Sequence, residues 1–131
     1  MNRFVLSQRS RNNLTQVHPD LVAVTILALY SFTCVDFAII EGKRGIERQK
    51  QLVAEDVSWT MNSKHLIQSD GFAHAVDCAP WVNGTIPWDE WKYFRQIAEA
   101  MFKAADFLKV DIEWGGNWPR IKDGPHFQLE T

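Results

Sequence analysis

Between Trp88 and Leu108 apolar side chains recur every three or four positions: Trp88, Trp91, Phe94, Ile97, Ala98, Met101, Phe102, Ala105 and Leu108. That spacing places them along one side of an α-helix and predicts a helix over 89–109, with the stripe from Trp91 to Leu108 as core. A stripe this wide needs a broad apolar surface to lie on. The chain supplies it as short strand-like runs. Asp36 to Ile40 reads as a buried strand, Ala73 to Val82 alternates like a second, Val110 to Trp114 is a third, and His126 to Leu129 is a fourth. Asn83-Gly84 and Gly115-Gly116-Asn117 read as turns.

Helices fill the rest. His18-Pro19-Asp20 is a helix start, with proline in the first turn and an acid favoured by the helix dipole. The apolar run that follows predicts a core helix to about Thr33. Residues 46–54 read as a short helix, and 1–17 as either a short helix or an unstructured lead-in. Segment 55–72 lacks periodicity and reads as a long loop, a feature often tied to function. The expected fold is α+β: a small, mostly antiparallel sheet with helices packed on it and a metal site on the sheet. At 131 residues, one domain over 1–131 is expected.

Composition excludes several classes. With 46% hydrophobic residues and six tryptophans the chain has enough apolar surface to fold, which argues against disorder. Its 14 Lys+Arg against 16 Asp+Glu give a net charge of −2, so a polycationic nucleic-acid binder is disfavoured. The apolar run 21–32 is about half a membrane span, so no stable membrane insertion is expected. Arg3, Arg9 and Arg11 are not followed by an apolar core, so no secretory signal is read; these arginines form a solvated face. Cys34 and Cys78 have no short spacing. They read as two reduced, buried thiols of a protein made in a cytoplasm, with a single disulfide as the alternative.

The chemistry sits in the irregular segments. His65, Asp77 and His126 offer two imidazoles and a carboxylate, a sufficient protein shell for a catalytic zinc that keeps its fourth position open. The plain alternative is two polar histidines on a loop and a strand. Asp123 stands three residues before His126, and the Gly124-Pro125 turn can bring its carboxylate beside the metal as general base and then acid. Arg44, on a glycine-flanked turn, offers a charged fork for a substrate carboxylate or an oxyanion, or else an ion pair with Glu41 or Glu47. Glu113 is the reserve carboxylate. Trp114 and Trp118 either line a substrate groove or simply pack. His74 lies off the face of Asp77 in a regular strand and reads as structural, and His18 as a helix-start residue. Asp70-Gly71 reads as a turn, or as part of a second, regulatory cation site.

Three stretches carry a family resemblance: Ser63-Lys64-His65, then Ala73-His74-Ala75-Val76-Asp77, then Asp123-Gly124-Pro125-His126-Phe127. Together they resemble the zinc peptidases that cut peptidoglycan stem peptides, the D-Ala-D-Ala carboxypeptidases and L-alanyl-D-glutamate endopeptidases. Val17 to Val22, Ile40 to Arg44 with Arg48-Gln49, and Trp114 to Trp118 resemble the phage-endolysin branch of that group. The resemblance spans roughly 10–130. It implies His65, Asp77 and His126 as ligands of one catalytic zinc, with Asp77 rather than Cys78 facing the site. It implies Asp123 as the proton shuttle, Arg44 as the residue that stabilises the polarised carbonyl or binds substrate, and Ser63 as a substrate-contact or supporting residue. Trp114 is the candidate aromatic wall.

Two departures stand out. Asp77 stands twelve positions after His65, further than in the family pattern, with the surplus around Ile67 to Gly71. Ala73 stands where the family has glycine. A longer loop costs little free energy, so the ligand set survives it. The implied activity is cleavage of the L-alanyl-D-glutamate bond by a phage endolysin during host lysis. A D-Ala-D-Ala carboxypeptidase and a non-catalytic wall-binding module are the alternatives. The implied setting is a monomer held in the host cytoplasm that meets the peptidoglycan stem peptide once a holin has permeabilised the membrane.

Overall fold

Helix α4 runs from Trp91 to Leu108 in the computed structural model, which describes residues 4–55 and 63–130. It buries Phe94, Ile97, Ala98, Met101 and Ala105 of the apolar stripe, with Ala100 and Ala104 beside them. The margins of the stripe are not core. Trp91 is 40% exposed, and Phe102 and Leu108 also reach solvent. The stripe is wider than the surface it covers, so its edges overhang. The helix ends at Lys109, whose φ of 60° takes the chain into the left-handed region and out of the helical path.

The surface beneath α4 is a four-stranded sheet. Strands β1 (Phe37–Glu41), β2 (Ala75–Pro80), β3 (Ile112–Trp114) and β4 (His126–Leu129) are arranged in the order β1-β2-β4-β3. Every neighbouring pair is antiparallel. Alternation sorts the two faces. Ile39, Val76, Cys78, Ile112, Trp114, Phe127 and Leu129 join the residues of α4 in one buried cluster. Asp77, His126, Gln128 and Glu113 share the other face, as their register pairs require. Phe127, Ile39, Ile97 and Met101 are fully buried, each stabilising the fold by about 1.5–3 kcal/mol.

Helix α1 (Gln8–Asn13) resolves the two readings of the N-terminal segment. It covers the outer edge of β1 with side chains: Ser10 Oγ accepts from the Ile39 amide at 3.0 Å, and Asn13 Nδ2 donates to the Ile39 carbonyl at 2.8 Å. An open strand edge is thereby closed. Helix α2 (Pro19–Leu27) is capped by His18, whose Nδ1 accepts from the Asp20 amide at 3.0 Å. The expected helix to Thr33 instead widens after Leu27 into a π-type turn over Ala28–Phe32, closed by Thr33 N–H to the Ala28 carbonyl. Helix α3 (Ile46–Ala54) has the expected bounds.

Of the expected loop 55–72, residues 56–62 lie outside the described residues. The remainder is ordered by its own bonds. Gln68 N–H donates to the Phe72 carbonyl at 2.8 Å and Gly71 N–H to the Gln68 carbonyl at 2.9 Å, with Gly71 at a φ of 89°. The surplus residues of Ile67 to Gly71 therefore form a tight hairpin. Both cysteines are free; Cys78 is buried as expected, but Cys34 is exposed. No helix among the described residues is long and apolar enough to cross a membrane.

Candidate metal centre

Asp77 and His126 are register partners on the central strands, so their side chains leave the same face side by side. His65 arrives from the turn before β2. Its Nε2 lies 3.1 Å from Asp77 Oδ1, and His126 Nδ1 lies 3.5 Å from the same oxygen. One ligand atom from each of the three residues falls within 4.8 Å of the others. The imidazoles meet edge to face, with ring centres 5.1 Å apart.

The outer partners of both rings determine which nitrogen carries a proton. His65 Nδ1 lies 2.7 Å from the Gly42 carbonyl, which can only accept, so Nδ1 holds the hydrogen and Nε2 is left as a lone pair. His126 Nε2 lies 2.8 Å from Gln128 Oε1, which leaves Nδ1 as the inward lone pair. With both rings neutral, two lone pairs and a carboxylate thus converge, an arrangement that calls for a cation among them, a metal ion or the protons of the rings. The residues fit a three-ligand metal.

Backbone geometry holds His65 firmly. Ser63 Oγ accepts from the His65 amide at 3.1 Å, and the Arg44 amide donates to the His65 carbonyl at 2.7 Å. Gly42 can present its carbonyl because it has no side chain: a Cβ there would run into the Asn13 carbonyl and Val17. Ser63 is thus engaged with backbone at the turn, and Gly42 is a supporting residue that the sequence marked only as one of the glycines flanking Arg44.

Asp123 stands at the margin, its Oδ2 4.0 Å from His126 Nδ1 and its side chain 43% exposed. Its loop is held by Gly115, whose carbonyl accepts from the Asp123 amide at 2.9 Å and where any Cβ would overlap the Asp123 backbone. Burial, and then the charge of Asp77, push the Asp123 carboxyl above the usual carboxylate range, against the pull of His126, His65 and Arg44. Burial alone would raise Asp77 as well. Where the rings carry a second proton, hydrogen bonds from His126 and then His65 outweigh burial and hold that carboxyl far below the usual range. For His126 burial acts downward, but the hydrogen bond and charge of Asp77 win and raise it.

Arg44 makes the ion pair foreseen as its alternative. Its Nε and Nη2 grip Glu41 at 2.8 and 2.6 Å, and Nη1 donates to Gln49 at 2.7 Å. Its positive charge still reaches Asp123. Trp114 is buried, its ring stacked between Trp91 and Phe127 and its indole N–H bonded to the Gly124 carbonyl at 2.7 Å. That is the geometry of packing rather than of a groove wall. Trp118 is the half-buried tryptophan, tilted over the His126 ring at 5.0 Å. Glu113 bonds Trp118 and Gln128. His74 is not among the converging groups: it binds Asp70 Oδ2 at 2.7 Å and meets the His18 ring edge to face. The other Asp70 oxygen accepts from the Phe72 amide, so Asp70 fastens the hairpin. Among the described residues no second group of three ligands shares a point.

Two histidines and an aspartate gathered on one face of a small antiparallel sheet, with a second carboxylate at the rim, form a group that could hold one metal ion and leave a position open, the donor set of a metallohydrolase. Comparison with known proteins narrows the class. The family described as "Phage L-alanyl-D-glutamate peptidase" matches residues 2–129, and the chain belongs to that family. An L-alanyl-D-glutamate peptidase of Escherichia phage T5 is 29% identical over 118 residues, covering 88% of this chain and 82% of that protein. The crystal structure of the Serratia marcescens L-Ala D-Glu endopeptidase ChiX superposes with a TM-score of 0.84 at 44% identity, covering 98% of this chain and 90% of that one.

Proposed function

We propose that this protein is a zinc-dependent endopeptidase that cuts the L-alanyl-D-glutamate bond of peptidoglycan stem peptides, as a phage endolysin in host lysis. The observation that carries the reading is the convergence of His65 Nε2, His126 Nδ1 and Asp77 Oδ1, with each outer imidazole nitrogen already committed. Two imidazoles and one carboxylate suit zinc, and the names of both relatives supply the scissile bond. Zinc bound there supplies a Lewis acid that polarises the amide carbonyl and lowers the pKa of water.

The chain's own residues do the remaining work. Asp123 takes the proton of the attacking water as the C–O bond forms. It returns that proton to the D-glutamate nitrogen as the C–N bond breaks. Arg44, locked by Glu41 and Gln49, supplies a fixed positive charge beside Asp123 that favours negative charge developing on the substrate. Ser63 holds the turn that presents His65.

The protein acts as a single-domain monomer carrying one zinc, and waits in the host cytoplasm until a holin opens the membrane. Digestion of purified peptidoglycan tests the scissile bond. New D-glutamate amino termini support the proposal; release of free D-alanine identifies a carboxypeptidase instead. Metal content of the purified protein beside His126→Ala tests the centre. About one zinc in the wild type and none in the variant is expected, and equal content in both refutes the ligand assignment.

A further inference from the structure

We infer that Glu113, which touches neither substrate nor metal ligand, is the positioning residue that selects the metal-binding tautomer of His126. The inference rests on the metal-centre reading above. Its basis is a run of hydrogen bonds across one face of the sheet. Glu113 and Gln128 are register partners on β3 and β4, and Gln128 is two residues beyond His126, so all three side chains leave the same face.

Glu113 Oε2 accepts from Gln128 Nε2 at 3.4 Å and from Trp118 Nε1 at 2.9 Å. An ionised carboxylate can only accept, so it draws the amide NH2 of Gln128 toward itself. The amide oxygen of Gln128 must then point the other way, at His126 Nε2, 2.8 Å off. That oxygen also only accepts, and at 2.8 Å it holds the ring hydrogen on Nε2 against the pull of Asp77 Oδ1, 3.5 Å from Nδ1, so the Nδ1 lone pair is kept for a metal ion. The Trp118 indole N–H, an obligate donor, has its one partner in Glu113, and its ring lies tilted over His126. The same carboxylate thereby fixes the ring that covers the ligand.

Without Glu113 the Gln128 amide is free to turn over. Its NH2 would then face Nε2, and His126 would place its hydrogen on Nδ1, directed into the centre. His65 needs no such relay, because a backbone carbonyl cannot turn over.

The test combines zinc affinity, by competition with a chromophoric chelator, with imidazole nitrogen NMR of His126 in zinc-free protein above the pH at which the ring titrates. Wild type should show the Nε2–H form. Glu113→Ala should show a substantial Nδ1–H population and bind zinc about 10–100-fold more weakly, with thermal stability nearly unchanged. Gln128→Glu in the Glu113→Ala background puts an acceptor-only group directly on Nε2, and it should restore both the tautomer and the affinity. A merely structural role for Glu113 predicts no such rescue. If Glu113→Ala does not fold, Gln128→Leu carries the same expectation. Unchanged tautomer and zinc affinity within threefold of wild type would overturn this inference while leaving the metal centre standing. A wild type that binds no zinc overturns both.

Discussion

Asp77 and His126 sit directly opposite each other on β2 and β4, and a register shift of one residue would send either of them into the core. The neighbouring positions show what enforces the register. Val76 and Phe127 are also partners, and both are fully buried on the opposite face. The alignment of the candidate ligands is therefore set by the burial of their neighbours.

Asp123→Asn should lower peptidoglycan cleavage by about 10²–10⁴-fold while zinc content stays at wild-type level. The asparagine keeps the shape and loses the proton shuttle. Amine release from purified peptidoglycan and metal analysis of one preparation check it; cleavage within a few-fold of wild type would remove Asp123 from the mechanism.

The same substitution should stabilise the zinc-free protein at neutral pH. The folded protein raises the proton affinity of Asp123 above that of the unfolded chain. Such a carboxyl favours the fold fully at pH values below its unfolded pKa, and that contribution is lost as pH rises through the folded value. At pH 7 only the ionised form, crowded by Asp77, remains, and asparagine relieves it. Solvent at this partly exposed side chain keeps the gain small. Thermal melts of both proteins at pH 3 and pH 7 should show the variant's advantage only at the higher pH.

Cleavage should fall in acid. Protons compete with zinc for the ligand imidazoles, so the centre empties as the pH falls. A pH–rate profile that stays flat down to about pH 4 would contradict the assigned centre.

Gly42→Ala should destabilise the fold by about 3 kcal/mol, because the new methyl meets the Asn13 backbone, which cannot swing aside. The Gly42 carbonyl would be displaced from His65 Nδ1, so zinc affinity should drop together with the denaturation midpoint. Gly45→Ala, where a Cβ meets nothing, is the control.

Chelation separates a catalytic metal from a structural one. Ile39, Phe127, Ile97 and Met101 form a core that does not depend on the centre. Excess chelator should therefore abolish cleavage and leave the far-ultraviolet dichroism nearly intact; collapse of the helical signal would mark the metal as structural.

Local periodicity determined much of this molecule. The apolar spacing of 91–108 forces a helix wherever it finds a surface, and His126 to Leu129 and Ile46 to Ala54 keep their expected bounds because short-range signals frame both. The motifs around His65, Asp77, Asp123 and His126 carried the family resemblance. Tertiary structure alone decided how those residues are held. Strand order brings Glu113 beside Gln128, fifteen positions along the chain, and the approach of α1 to the turn after β1 makes Gly42 the anchor of His65. It also placed Trp114 between two rings and left Trp118 over the site, a choice open in the sequence. The physical reason is range: helix and turn preferences act over a few neighbouring residues, whereas a buried ring nitrogen takes its partner from whichever strand or turn packs against it.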